Sequence, residues 1–320
     1  MIDICILALK NSILASIADS RYVFSMVNAF LKQSGKAPLF NVKLVGITSE
    51  VKLNEKIFSI HPEAMIDDIK RTDLIIIPAL SGDIFTATNS NLNYVDWITR
   101  QYKNGAEVAS LCTGAFLLAF TGLLKGKQCT THWQYANEFR HHYSSVRLVD
   151  EKAITDQNGL YSSGGSNAWW NLLLHLVEKY AGREIAIYTA KYFVIDLNRT
   201  TQSPFIIFNG VKDHQDEEIL KSQEFIEENY QGKLMVDEIA ARFNLSRRTF
   251  ERRFKKCTRN TVAEYIQLVK VEAAKKQLEA GRKSIAEIMF DVGYVDIQTF
   301  RDVFKKITGM TPVEYRNKYN

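Results

Sequence analysis

Two ten-residue runs near the end of the chain concentrate side chains able to recognise a polyanion: Arg247-Arg248-Thr249-Phe250-Glu251-Arg252-Arg253-Phe254-Lys255-Lys256 and Ile297-Gln298-Thr299-Phe300-Arg301-Asp302-Val303-Phe304-Lys305-Lys306. In each run two phenylalanines stand four apart, on one face of a helix, so the remaining positions point outward. Those positions offer arginine for guanine or phosphate, glutamine for adenine, and apolar side chains for thymine methyl groups. A solvated helical bundle would carry the same arginines. Two runs in one register favour the DNA reading.

Each run is preceded by a short helix and a tight turn. The first unit reads as a helix over 236–243, a turn at Asn244-Leu245 and Ser246 as N-cap. The second reads as 284–292, a turn at Gly293-Tyr294 and Asp296 as N-cap. Ala240 and Ala286 are the small residues expected where paired helices approach closely. With further helices expected over 217–230, 247–256, 262–279, 285–292 and 297–307, the C-terminal part is all α. It is also basic: residues 221–320 hold 20 Lys and Arg against 14 Asp and Glu, whereas residues 1–220 hold 21 against 22. A basic segment beside a neutral one suits a polyanion-binding module joined to a domain with another task.

A third reactive position is Cys112, in Val108-Ala109-Ser110-Leu111-Cys112-Thr113-Gly114-Ala115-Phe116. The pattern reads as strand, sharp turn and helix, with the thiol at the turn. A helix N-terminus there is expected to lower the thiol pKa and favour thiolate. Around it, short apolar runs at 2–9, 42–47, 74–77 and 108–111 read as strands, and 20–33 and 92–103 as amphipathic helices. Later, 146–149 and 153–162 read as strands, the second with an Asn158-Gly159 turn, and 167–180 and 184–197 as helices. Such alternation implies a flavodoxin-like α/β domain, a mostly parallel sheet with helices on both faces.

The expected boundaries are an α/β domain over 1–197, a linker over 198–216 and a helical domain over 217–320. At 320 residues and 46% hydrophobic composition, two cores are expected. The first residues lack a basic lead-in and no uncharged stretch is long enough to span a bilayer, so a cytoplasmic protein without membrane association is expected. Cys5, Cys112, Cys129 and Cys257 lie far apart without metal-ligand spacing, and neither a metal nor a cofactor is expected.

Asp291-Val292-Gly293-Tyr294, Phe300, Phe304-Lys305-Lys306 and Gly309-Met310-Thr311-Pro312-Val313-Glu314-Tyr315-Arg316 resemble the C-terminal signature of the AraC/XylS regulators, over about residues 219–319. The resemblance implies two helix-turn-helix motifs held about one DNA turn apart by a linker helix over 262–279, so that one protomer reads two successive major-groove segments of double-stranded DNA. It places Arg247, Arg248, Glu251 and Arg252, then Ile297, Gln298, Arg301 and Asp302, toward the bases. Lys255, Lys256, Lys305 and Lys306 fall toward phosphates or water. Ile297 and Asp302 stand where family members often carry polar or basic residues, which implies less direct hydrogen bonding by the second helix.

The stretch from Cys112 through Gly122-Leu123-Leu124-Lys125-Gly126 to Thr130-Thr131-His132-Trp133 resembles the PfpI-like branch of the class I glutamine amidotransferase-like fold, over roughly residues 1–197. In active relatives the elbow cysteine works with an acid after the first strand, and by register that position is Ser16. Serine cannot serve as that acid, and Asp19, three residues on, would face elsewhere on a helix. The chain is therefore expected not to be an enzyme. Ser16, Gly82, Cys112, Thr113 and His132 are the expected lining of a ligand pocket, His132 as a structural histidine. The resemblance implies a homodimer and admits an unidentified small-molecule effector. One alternative is a cysteine-dependent amidase- or hydratase-like enzyme with a DNA-binding tail; another is a helical protein-interaction module.

Overall fold

Ile2–Leu7 (β1) is buried along its last four residues, which is why it reads as a continuous apolar run rather than an alternation. In the computed structural model, which describes residues 1–53, 57–197 and 199–320, β1 lies inside a seven-stranded sheet. The other strands, in chain order, are Phe40–Gly46 (β2), Val51–Leu53 (β3), Phe58–Ile60 (β4), Ala64–Met65 (β5), Leu74–Ile77 (β6), Glu107–Ser110 (β7), Gln128–Cys129 (β8), Arg147–Leu148 (β9), Ile154–Gln157 (β10) and Leu160–Ser163 (β11). The sheet runs β10-β11-β7-β6-β1-β2-β5. All its pairings are parallel except β10 with β11. Asn158 and Gly159, at φ 56° and 73°, make the two-residue turn of that hairpin, as the Asn-Gly pair predicts.

Helices cover both faces. Leu14–Gln33 (α1), Ala168–Ala181 (α6) and Arg183–Phe193 (α7) pack on one side through Phe24, Val27, Leu172, Leu176 and Ala186. Ile84–Asn89 (α2), Val95–Lys103 (α3), Ala115–Phe120 (α4) and Ala136–His142 (α5) pack on the other through Ile84, Ile98, Phe116 and Phe139. α1 begins six residues before the expected position 20. Ser16 and Ser20, which look like helix breakers, are buried inside it with their hydroxyls bonded to the carbonyls of Ile13 and Ser16. The segment expected as a strand over 146–149 forms only the short β9, paired with β8 outside the main sheet. The antiparallel pair β3 and β4 has no counterpart among the strands expected from the sequence.

The described chain divides into Met1–Gln202 and Ser203–Asn320. Residue 198, where the linker was expected to begin, lies outside the described residues. Residues 199–202 belong to the first unit, where Gln202 is buried and its amide donates to the carbonyls of Thr131 and Asp150. Residues 203–216 belong to the second, where Phe208 packs on Tyr265.

The second unit contains Glu217–Asn229 (α8), Val236–Arg242 (α9), Arg247–Thr258 (α10), Val262–Ala280 (α11), Ile285–Asp291 (α12), Ile297–Thr308 (α13) and Pro312–Tyr319 (α14). α14 was not expected as a separate helix. Thr311 and Glu314 cap it reciprocally, as Thr261 and Glu264 cap α11 fifty residues earlier. The internal repeat thus extends past the two motifs to the helix that follows each.

Candidate nucleic-acid interface and N-terminal pocket

α10 and α13 start alike. Ser246 accepts the Thr249 N–H and Asp296 the Thr299 N–H, and each helix follows a left-handed residue, Asn244 (φ 54°) or Gly293 (φ 78°). After those residues the backbone reaches back in the same way, Leu245 N–H to Ala240 and Tyr294 N–H to Met289. Met289, not Ala286, is therefore the counterpart of Ala240. Ala286 is exposed, because the register is set by the turn and not by the start of the short helix. The second turn is one residue longer, and it includes Val295, which is 90% exposed.

Phe250 and Phe254 are buried with Ile239 and Tyr265, and Phe300 and Phe304 with Ile288 and Tyr315. Each phenylalanine stabilises its core by about 2–3 kcal/mol. α11 serves both cores, with Val262, Tyr265 and Val269 in the first and Val271, Ala274 and Leu278 in the second. At 1.5 Å per residue it is about 28 Å long, so the two motifs share one stiff strut.

On the opposite faces, Arg247, Arg248, Glu251, Arg252, Lys255 and Lys256 are exposed on α10, and Gln298, Arg301, Asp302, Lys305 and Lys306 on α13. They are not equally available. Arg247 is held by Asp237 at 3.0 Å and Glu251 at 3.2 Å. Arg248, Arg252 and Arg301 have no hydrogen bond or ion pair to another described residue. Gln298 Nε2 donates to Asp302 Oδ1 at 2.9 Å. Ile297 departs from the outward expectation, being half-buried against the second core. Arg253 also turns inward and grips Asp216 through two nitrogens, at 2.9 and 2.5 Å.

In the N-terminal unit, β1, β6 and β7 end side by side where the strand order reverses, the usual place for a ligand crevice in such sheets. Cys112 sits there at φ 52°, a left-handed conformation costly for a residue with a Cβ. Its N–H donates to Ser163 Oγ at 3.1 Å and its carbonyl accepts from Thr131 Oγ1 at 3.0 Å. Thr113 Oγ1 both donates to the Leu80 carbonyl and accepts the Leu80 N–H. Ser16 Oγ accepts the Ala79 N–H at 3.1 Å. A Cβ on Gly114 would stand 2.6 Å from the Pro78 carbonyl oxygen, so only glycine lets the elbow pack here. Ser16, Cys112 and Thr113 thus meet around the end of β6. Gly82 lies in the exposed turn before α2, at φ 79° and with open space around it.

The thiolate expected from the helix terminus is overturned. Burial pushes the Cys112 thiol up to about 11, because desolvation of the anion outweighs the hydrogen bonds from Thr113 that favour it. His132 is half-buried and burial lowers its pKa. Its Nδ1 accepts the Gln134 N–H at 3.1 Å, which places a neutral ring's proton on Nε2. Asp19 accepts from Trp169 Nε1 at 3.0 Å and is committed to α6. Sequence reasoning missed Thr131, Ser163 and Tyr135. Tyr135 lies near enough to Cys112 that, after burial, the thiol is the next cause raising its phenol pKa. Thr131 and Tyr135 follow β8 and Ser163 ends β11, and only the fold brings these two stretches beside the elbow.

A helix-turn-helix domain family matches residues 239–318 and the DJ-1/PfpI family residues 25–179. The regulatory protein SoxS of Salmonella typhimurium is 33% identical over 95 residues, covering 30% of this chain and 89% of SoxS. The chain belongs to the AraC-type helix-turn-helix regulators. This AraC-type regulator carries a DJ-1/PfpI-family domain ahead of its DNA-binding unit. The HTH-type transcriptional regulator GbdR of Pseudomonas aeruginosa is 26% identical to it over 261 residues, 80% of this chain and 69% of GbdR. The isonitrile hydratase of Pseudomonas putida is 28% identical over 162 residues, 51% of this chain and 65% of that enzyme. The AraC-type regulator is thus a DNA-binding transcription regulator. Among its described residues no helix is long and apolar enough to cross a membrane, and no group of three or more His, Cys, Asp or Glu is placed to hold a metal.

Proposed function

We propose that the regulator acts in the cytoplasm as a homodimer, each protomer laying α10 and α13 into successive major-groove segments of double-stranded DNA, and that a small molecule in the Cys112 crevice biases this binding. The observation that carries the DNA contact is the shared layout of the two motifs on α11, with Arg248 and Arg252 exposed and unpaired among the described residues. Dimerisation follows from affinity: two linked DNA-binding units gain effective concentration on a repeated site. An effector shifts binding only by its differential affinity for two arrangements of the protein. The crevice suits binding better than catalysis. Ser16 is engaged by Ile13 and Ala79 and is no acid, while Cys112 is protonated at neutral pH.

Selection of random duplex DNA by the full-length protein, beside an Arg248→Ala/Arg252→Ala variant and at two salt concentrations, tests this. An enriched motif is expected, lost in the variant, with log affinity falling linearly against log salt. A folded protein that enriches nothing, with or without candidate effectors, would overturn it. Turnover of isonitriles or amides by wild type above the Cys112→Ala level would restore the enzyme.

A further inference from the structure

The two recognition helices carry different chemistry at equivalent positions. Counted from the N-caps Ser246 and Asp296, Arg247 corresponds to Ile297, Arg248 to Gln298, Glu251 to Arg301 and Arg252 to Asp302. The lysine pairs at 255–256 and 305–306 are identical. The lysine pairs near the far ends are thus shared, and the exposed positions that differ ahead of them lie in the first two turns, which reach base edges in such motifs.

On α10, Arg248 and Arg252 stand four apart, exposed and without a protein partner among the described residues. Two guanidinium forks on one strip match the N7 and O6 acceptors of guanine. On α13 the place of Arg252 is taken by Asp302, which accepts one N–H of the Gln298 amide. The other N–H and the amide oxygen stay free, the donor and acceptor pair that matches adenine N7 and N6. Ahead of that helix the longer turn holds Val295 almost wholly in water, with Ile297 half-exposed two residues on. A branched apolar chain kept exposed at the groove-entering end of a helix is satisfied by the C5-methyl of thymine.

We propose that each protomer reads a chemically asymmetric site: a guanine-bearing segment under α10, and a thymine and adenine segment under α13. Val295 and Ile297 contact thymine methyls and Gln298, oriented by Asp302, contacts adenine. This rests on the DNA contact proposed above.

The test uses the full-length protein and its selected duplex, with each thymine replaced in turn by deoxyuridine, which removes only the methyl group. In the α13 segment one or more replacements should weaken binding about fourfold each, the worth of one buried methyl. At least one of these penalties should vanish in Val295→Ala, whose side chain packs in neither core, so its thermal unfolding should match wild type. Arg252→Ala should relax the guanine preference of the other segment and leave the uracil penalties in place. Sequence-specific binding in which every uracil is neutral, or an α13 segment whose guanine preference is lost in Arg301→Ala, overturns the asymmetry while leaving the DNA contact standing. Absence of any specific duplex binding overturns both.

Discussion

The Lys270 ammonium donates to the Gly293 carbonyl at 2.9 Å, tying the middle of α11 to the turn of the second motif. Burial lowers the Lys270 pKa; the carbonyl and the face of Tyr294, 5.2 Å away, compensate for lost water. The same turn has no room for a side chain: a Cβ on Gly293 would stand 2.3 Å from the Gln231 carbonyl oxygen and 2.7 Å from Lys270 Nζ. Gly293 therefore does two things, adopting a left-handed φ and admitting a backbone and an ammonium to close approach.

Gly293→Ala is expected to destabilise the helical unit by about 2 kcal/mol or more. Asn244→Gly, at the equivalent left-handed position of the first motif, should change stability by less than about 1 kcal/mol. Urea denaturation followed by helical circular dichroism distinguishes them. Equal effects would show that φ alone, and not the contact with Gln231 and Lys270, constrains position 293.

Acid should loosen the helical unit through named carboxylates. The hydrogen bond from Arg253 is the main cause holding Asp216 below the usual carboxylate range, and the N–H groups of Thr261 and Thr311 do the same for Glu264 and Glu314. A carboxylate whose folded pKa is depressed contributes stability that is present above its unfolded pKa of about 4 and is lost as pH falls through the folded value. The melting temperature of this unit should decline below about pH 4, and Asp216→Asn should flatten part of that decline. An identical pH profile for the variant would remove Asp216 from the account.

A buried thiol at about 11 has fewer than about one thiolate in a thousand molecules at pH 7.5. Cys129 is also fully buried and is pushed up to about 12, whereas Cys257 is half-exposed. Iodoacetamide should label Cys257 first in the native protein, with Cys112 reacting only on unfolding or at alkaline pH. Rapid native labelling of Cys112, located by peptide mass spectrometry, would mean that the crevice opens and the thiol is activated.

Gln202 closes the first unit. Its amide donates to the carbonyls of Thr131 and Asp150 and accepts the Gly165 N–H at 2.9 Å. Gln202→Ala leaves those buried groups without a partner and should cost about 2–4 kcal/mol. Thermal unfolding of the N-terminal unit should register that loss, and an unchanged midpoint would show that water replaces the amide.

Much of this was legible in the chain because helices, caps and turns are local. The phenylalanine pairs, the caps Ser246 and Asp296, and the Asn158-Gly159 turn announce themselves within a few residues. The alternation of apolar runs and amphipathic stretches implied a parallel sheet covered on both faces. The identity of Ser16, with no acid at that position, was likewise readable from the sequence.

Tertiary structure decided what depends on atoms brought from far along the chain. Cys112 carries a proton at neutral pH because the surrounding fold excludes water, and desolvation outweighs the hydrogen bonds from Thr113. Met289, rather than Ala286, faces the turn because the backbone bond from Tyr294 sets the register. Arg247 is tied by Asp237, ten residues away, while Arg248 is not. Neighbouring letters in the sequence thus differ in free charge, for ion pairs and burial are properties of packing and not of residue type.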